Sequence, residues 1–438
     1  MRQRAGLFKV IAPGLLAGIS NVDACAILCL LSIGAVYRYS LLWALTLGLL
    51  LYTFTLQVAS EVALVTGKGL AENIRERFGG GASSITVLTS MAANISLISA
   101  EIAGAAVAIT ALTEAPLQLS AAIAALILLV IACTKTVDLV DEVLIVLSMT
   151  LVAYLVLVFT VGVDYTGLLS GLIKPGLQLD AEYWVAVLAI IGMAIGPNVL
   201  LYEASDLVEK GVGEKALPHA MVSSFIGSMV SLVICVAIVV CGGYLGKASE
   251  TMIEAVDAFR AVFGQASTPL FSLGLFAGSM LAAVITLHST IALLSETYGW
   301  AKVGGRATWP TWATIITLAS LTPTLLVAKP VKVAIVSSVL SSIATIPPFV
   351  FLAKLFCDSN LMRGLEARGY IKAVTWIIVA VFVSINVGGL LVAVLEKPVL
   401  GYINVPADLL VLLLGASLAP YMIKGLRGLF NRRGLIEA

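Results

Sequence analysis

Long apolar runs recur along this chain, and most charges fall in the gaps between them. Runs of roughly 18 residues or more cross a bilayer as helices, because hydrocarbon offers the backbone no water to bond with. The runs are continuous rather than alternating, which excludes a membrane barrel. Hydrophobic residues make up 60% of the 438 and charged residues only 12%. The expected class is therefore an all-α polytopic membrane protein. About twelve spans are predicted, near 10–36, 40–66, 84–112, 117–134, 141–163, 183–209, 217–245, 269–296, 308–328, 332–356, 371–395 and 405–425. Between them lie connections at 67–80, 165–182, 246–267 and 358–368. Two stretches there are amphipathic, 69–78 with Glu72, Arg75, Glu76 and Arg77, and 252–263 with Glu254, Asp257 and Arg260. Both read as helices lying at the interface or over the bundle.

Lysine and arginine set the orientation. With the N-terminus inside and twelve spans, 19 of the 26 basic residues fall on the inner side and 7 on the outer. Both termini are expected in the cytoplasm, and the short loops suggest a prokaryotic inner (plasma) membrane. The first span is too long, and lacks the small-residue cleavage site, to be a removed signal peptide. A net charge of +1 gives no footing for nucleic acid. No nucleophile–base pairing, phosphate loop or zinc cluster points to an enzyme. No cofactor and no obligate protein partner is expected beyond the lipid bilayer. The six cysteines, Cys25, Cys29, Cys133, Cys235, Cys241 and Cys357, have no paired metal-ligand spacing and read as small hydrophobes.

Within the first span one charge stands out. Asp23 is the sole charge from Val10 to Val36, among small residues Gly18, Ala24, Cys25 and Ala26. A carboxylate at bilayer depth is turned toward a cavity, a partner or a substrate. The sixth span carries a matching irregularity, Gly192-Met193-Ala194-Ile195-Gly196-Pro197-Asn198. Pro197 removes a backbone donor and the glycines weaken the helix. Five spans followed by five more have opposite orientations, so the interrupted spans head two inverted sets. That arrangement marks the ion or substrate site of a secondary transporter. Its alternatives are a plain proline kink and an aspartate that only bonds a neighbouring helix. The predicted organisation is one transporter domain, 1–438, with a first repeat at 10–163, a second at 183–356, and two further spans at 371–425.

Many short motifs in order resemble the Nramp family of divalent-metal transporters over nearly the whole chain. They are Pro13-Gly14-Leu15-Leu16 with Asp23, Tyr39-Ser40-Leu41-Leu42-Trp43, and Val65-Thr66-Gly67-Lys68-Gly69-Leu70-Ala71-Glu72 followed by Arg75-Glu76-Arg77-Phe78. Further on come Ser99-Ala100-Glu101-Ile102-Ala103-Gly104, Leu361-Met362-Arg363-Gly364 and Ser384-Ile385-Asn386. The resemblance implies a LeuT-type fold, two inverted five-helix repeats plus two further helices, working by alternating access.

The metal-site motifs depart from that family. Its Asp-Pro-Gly-Asn reads Asp23-Ala24-Cys25-Ala26 here, so the asparagine ligand becomes Ala26. Its Met-Pro-His reads Gly196-Pro197-Asn198, which removes the thioether. A tenth-span glutamine falls on Ser338, a third-span proton-route aspartate on Ile98, and a sixth-span histidine on Glu203. The expected ion site is Asp23 as metal ligand, with Ser20, Ala26, Met193, Gly196, Asn198 and Ser338 around it; Glu101, Glu203 and Asn21 are candidates for the path or a proton route. His288 reads as a packed polar group. Losing a soft thioether removes discrimination against hard ions. Mg²⁺ keeps several waters and needs few carboxylates, so Mg²⁺ is expected first and Mn²⁺ second. Some Nramp-like proteins without the methionine are magnesium transporters, and this chain is similar in that respect. Loss of proton-route groups points to an uncoupled uniporter, driven by roughly 4–5 kcal/mol per 100 mV for a divalent ion. The alternative is a LeuT-type carrier of a small organic solute, an amino acid or carboxylate, although neither interrupted span holds a lysine or arginine to pair with an anion.

Overall fold

The computed structural model describes residues 21–133, 155, 158, 162–176, 178, 180–209, 211, 217–245, 260, 264, 267–298, 305–327, 329–362 and 369–395. Regular structure among the described residues is helical. The chain is non-helical at Asn21–Asp23, and the first described helix, α1, runs Ala24–Tyr37. Then come α2 (Leu42–Thr66), α3 (Leu70–Thr113), α4 (Leu117–Cys133), α5 (Tyr165–Ile173), α6 (Ala181–Ala194) and α7 (Pro197–Glu209). The second half continues with α8 (Leu217–Leu245), α9 (Ser267–Tyr298), α10 (Gly305–Val327), α11 (Pro330–Ala344), α12 (Ile346–Phe356) and α13 (Gly369–Leu395).

Seven of these helices or helix pairs are long and apolar enough to cross a membrane. Two of the seven, α6–α7 and α11–α12, are interrupted spans. α1 and α4 are shorter apolar helices. Large apolar side chains stay exposed in mid-helix, among them Leu88, Leu126 and Leu318. A face of that kind is what hydrocarbon requires.

The predicted spans coincide with helices wherever they are described. The expected span at 405–425, nearly all of 141–163 and of 252–263, and the start of the first span lie outside the described residues. The amphipathic stretch after α2 is helical, as expected. Gly67, at φ +65°, closes α2, and Gly79, at φ +82°, kinks α3 between its amphipathic start and its long apolar part. Only glycine adopts such φ values without strain.

Two features add to the predicted pattern. The connection 165–182 carries a short helix, α5, with the Asp164 side chain accepting from the Gly167 N–H. The tenth span is broken. Pro347 and Pro348 have no N–H to give to the preceding turn, so α11 and α12 meet at Thr345.

α1 is buried from Ala24 to Leu31 and packs on α8, α11, α3 and α6. Where α1 crosses α8, Gly34 lies on the Val239 carbonyl and Gly242 on the Leu31 carbonyl, so a side chain at either would overlap backbone. Small residues let helices approach this closely without a hydrophobic drive between them. α3 in turn packs along α9, α11, α4 and α10. The start of α1 is thereby held in the middle of the bundle.

Candidate metal centre

Asp23 has extended backbone (φ −90°, ψ −174°) and caps α1, its Oδ1 accepting from the Ala26 N–H at 2.7 Å. A second carboxylate reaches the same helix start. Glu101, from the middle of α3, accepts the Ala24 N–H on Oε2 at 3.0 Å. Gly104, one turn along α3, makes that approach possible, since a Cβ there would overlap the Ala24 side chain. The exposed N–H groups and positive dipole of a helix start favour negative charge.

A thiol lies beside the two carboxylates. One ligand atom each from Asp23, Cys25 and Glu101 all fall within 4.8 Å of one another. No other group of three histidine, cysteine or acidic side chains lies so close among the described residues. Cys25 and Glu101 are fully buried, whereas Asp23 is half-buried and forms the accessible edge. Glu101 Oε1 is buried without a hydrogen-bond partner. Two ionised carboxylates this close repel by roughly 3–4 kcal/mol at an effective dielectric of about 20, and a shared cation reverses the sign.

The remaining expected residues divide. Asn21 is buried in the turn before Asp23, and Ala26 is buried and offers its N–H to Asp23. Ser20 lies outside the described residues. Met193 is buried in the last turn of α6. At the break after it the Ile195 carbonyl accepts from the Thr345 hydroxyl at 3.2 Å, which α11 supplies at its own end. Gly196 lies against the Asn198 side-chain oxygen. Asn198 turns its amide N–H to Thr286 of α9 at 3.0 Å, so its side chain ties the broken span to α9. Ser338 is buried with its hydroxyl 3.7 Å from the Cys29 sulfur, one helical turn beyond Cys25.

Glu203 is buried and accepts from Ser60 at 2.8 Å, joining α7 to α2. It does not belong to the Asp23 group. His288 packs edge-on to Tyr202 and Trp309 and lies 3.6 Å from the Glu209 carboxylate.

Sequence reasoning missed two participants. Cys25 reads as apolar filler, but its position two residues after Asp23 places it in the same first helical turn. Thr345 had a signal in the Pro347-Pro348 pair that follows it.

A sequence model described as natural resistance-associated macrophage protein-like (Nramp) matches residues 14–392. The divalent metal cation transporter MntH of Levilactobacillus brevis is 24% identical over 415 residues, 87% of this chain and 87% of that one. The metal transporter Nramp6 of Arabidopsis thaliana is 25% identical over 448 residues, 95% of this chain and 83% of that one. Among solved structures, the Eremococcus coleocola manganese transporter superposes with a TM-score of 0.75 at 17% identity, covering 98% of this chain and 95% of that chain. Mhp1, a nucleobase-cation-symport-1 family transporter, superposes at 0.55 over 91% of this chain and 92% of that chain, again at 17% identity. These superpositions give the fold, which is LeuT-type.

Proposed function

This chain belongs to the Nramp family, and from that premise we propose that it carries a divalent metal cation across the membrane, binding it at the start of α1. The carrying observation is that Asp23 and Glu101 converge on one helix start inside the bundle, with a buried Glu101 oxygen left unpartnered. Two carboxylates suit a hard divalent ion held with part of its water shell. The relatives support the same reading, since they are named as divalent metal cation and metal transporters.

In this proposal the cargo is Mg²⁺ or Mn²⁺, both of which take carboxylate oxygens. Ala26 and Gly196 supply no side-chain ligand where the family pattern has asparagine and methionine, which favours an ion that keeps part of its water. Transport is a uniport driven by membrane potential, because the third-span position expected to carry protons is Ile98, fully buried among apolar side chains. The single domain comprises repeats at 10–163 and 183–356 with two spans at 371–425. It sits in the plasma (inner) membrane with both termini in the cytoplasm, as the basic residues favour.

Flux into proteoliposomes tests the proposal. Saturable Mg²⁺ or Mn²⁺ uptake, lost in Asp23→Ala, with no cation-dependent signal from an internal pH dye, is the expected result. A proton signal that scales with metal uptake overturns the uniport. No divalent flux from wild type overturns the cargo and turns the search to small organic solutes.

A further inference from the structure

We infer that the Cys25 thiol is a third ligand of the transported ion, so that the carrier prefers Mn²⁺ to Mg²⁺ and accepts thiophilic cations such as Cd²⁺. The inference rests on the proposal that the α1 start is the metal site, and it names what selects among metals there.

Cys25 follows Asp23 by two residues in the first turn of α1, and its sulfur lies within 4.8 Å of a carboxylate oxygen of both Asp23 and Glu101. Ligands sharing one ion lie about 3–4 Å apart when metal–oxygen and metal–sulfur distances are about 2.0 and 2.3 Å. The three groups therefore need only a small contraction to close on an ion. Glu101 Oε1 supplies the second, independent sign of a missing ligand, since it is buried and unpartnered. Buried polar atoms are normally satisfied, and a cation at this point satisfies Oε1.

A buried cysteine ordinarily serves as a small hydrophobe. Cys29, Cys235 and Cys241 are buried in the same apolar core as Cys25. Cys25 differs in having two carboxylates within 4.8 Å of its sulfur, a setting that apolar packing does not call for. Sulfur donors favour softer metals, while carboxylates serve Mg²⁺ and Mn²⁺ alike. The thiol thus restores a soft donor to a site from which the thioether expected in the sixth span is absent. Coordination is as the thiolate, with the thiol proton released to water.

The test compares wild type, Cys25→Ser and a chain in which the other five cysteines are replaced, in competition flux and in ultraviolet spectra with Cd²⁺. The prediction is that Cys25→Ser lowers Cd²⁺ competition at least tenfold and lowers the Mn²⁺-to-Mg²⁺ uptake ratio. A sulfur-to-metal charge-transfer band should appear in wild type and in the chain keeping only Cys25. An unchanged ratio in Cys25→Ser, or no band in the chain keeping only Cys25, overturns the inference. The spectrum of that last chain decides even if Cys25→Ser does not fold. Divalent flux lost in Asp23→Ala but indifferent to Cys25 leaves the metal carrier standing and removes the thiol alone. No divalent flux in wild type removes both.

Discussion

Glu101 holds one carboxylate oxygen on the Ala24 N–H and leaves the other buried without a partner. Glu101→Gln keeps an acceptor for that N–H while removing the charge. A hydrogen bond or contact to a charged group is worth about 1.5–3 kcal/mol, so the apparent affinity for Mn²⁺ should fall roughly 10- to 150-fold. Competition uptake in proteoliposomes measures this, alongside an unfolding midpoint in detergent that should stay close to wild type. Asp23 and Glu101 were legible in the sequence because a carboxylate in an apolar run is conspicuous. Cys25 was not, because a thiol in an apolar run looks like its neighbours. Asn198 was legible as a polar group at a broken helix. Its bond to Thr286 was not, since nothing in the local sequence says which helix lies opposite.

At the scale of elements, the start of α1 at Asp23 and the break between α6 and α7 had visible causes. Asp23 caps a helix that starts only after it, and Ile195-Gly196 separates α6 from α7, which Pro197 opens. The break between α11 and α12 follows from Pro347-Pro348 in the same way, but its function lies in a long-range bond. The Thr345 hydroxyl shares its proton between the Ser341 carbonyl of its own helix, at 2.7 Å, and the Ile195 carbonyl at the break in the sixth span, at 3.2 Å. Thr345→Val keeps the shape and removes the donor. Leaving a buried carbonyl unsatisfied costs about 1–3 kcal/mol, so the unfolding midpoint should drop. A midpoint equal to wild type would show that the carbonyl finds another partner. Gly192 makes a related contact, packed on the Ser338 carbonyl where a Cβ has no room. Gly192→Ala must push α6 from α11 and is expected to destabilise by about 1–3 kcal/mol, read from the same unfolding curve.

Across the whole molecule, the apolar pattern located the long helices among the described residues, though not α5 or the break between α11 and α12. Hydrocarbon forces every backbone group into a helix, so the length of a run and its end signals carry most of the information. What the pattern did not carry is which helices touch. The crossing of α1 on α8 through Gly34 and Gly242 brings two backbones together and keeps α1 central. Gly34→Val is expected to separate them, lowering both folded yield in membranes and transport. Folded yield and flux equal to wild type would mean that this crossing does not set the position of α1. The central claim is that a divalent ion sits among Asp23, Cys25 and Glu101. An anomalous-difference map from crystals grown with Mn²⁺ tests it most directly. A single peak bounded by those three side chains is the predicted result. A peak at the α6–α7 break away from Glu101, or no peak within the bundle, would contradict it.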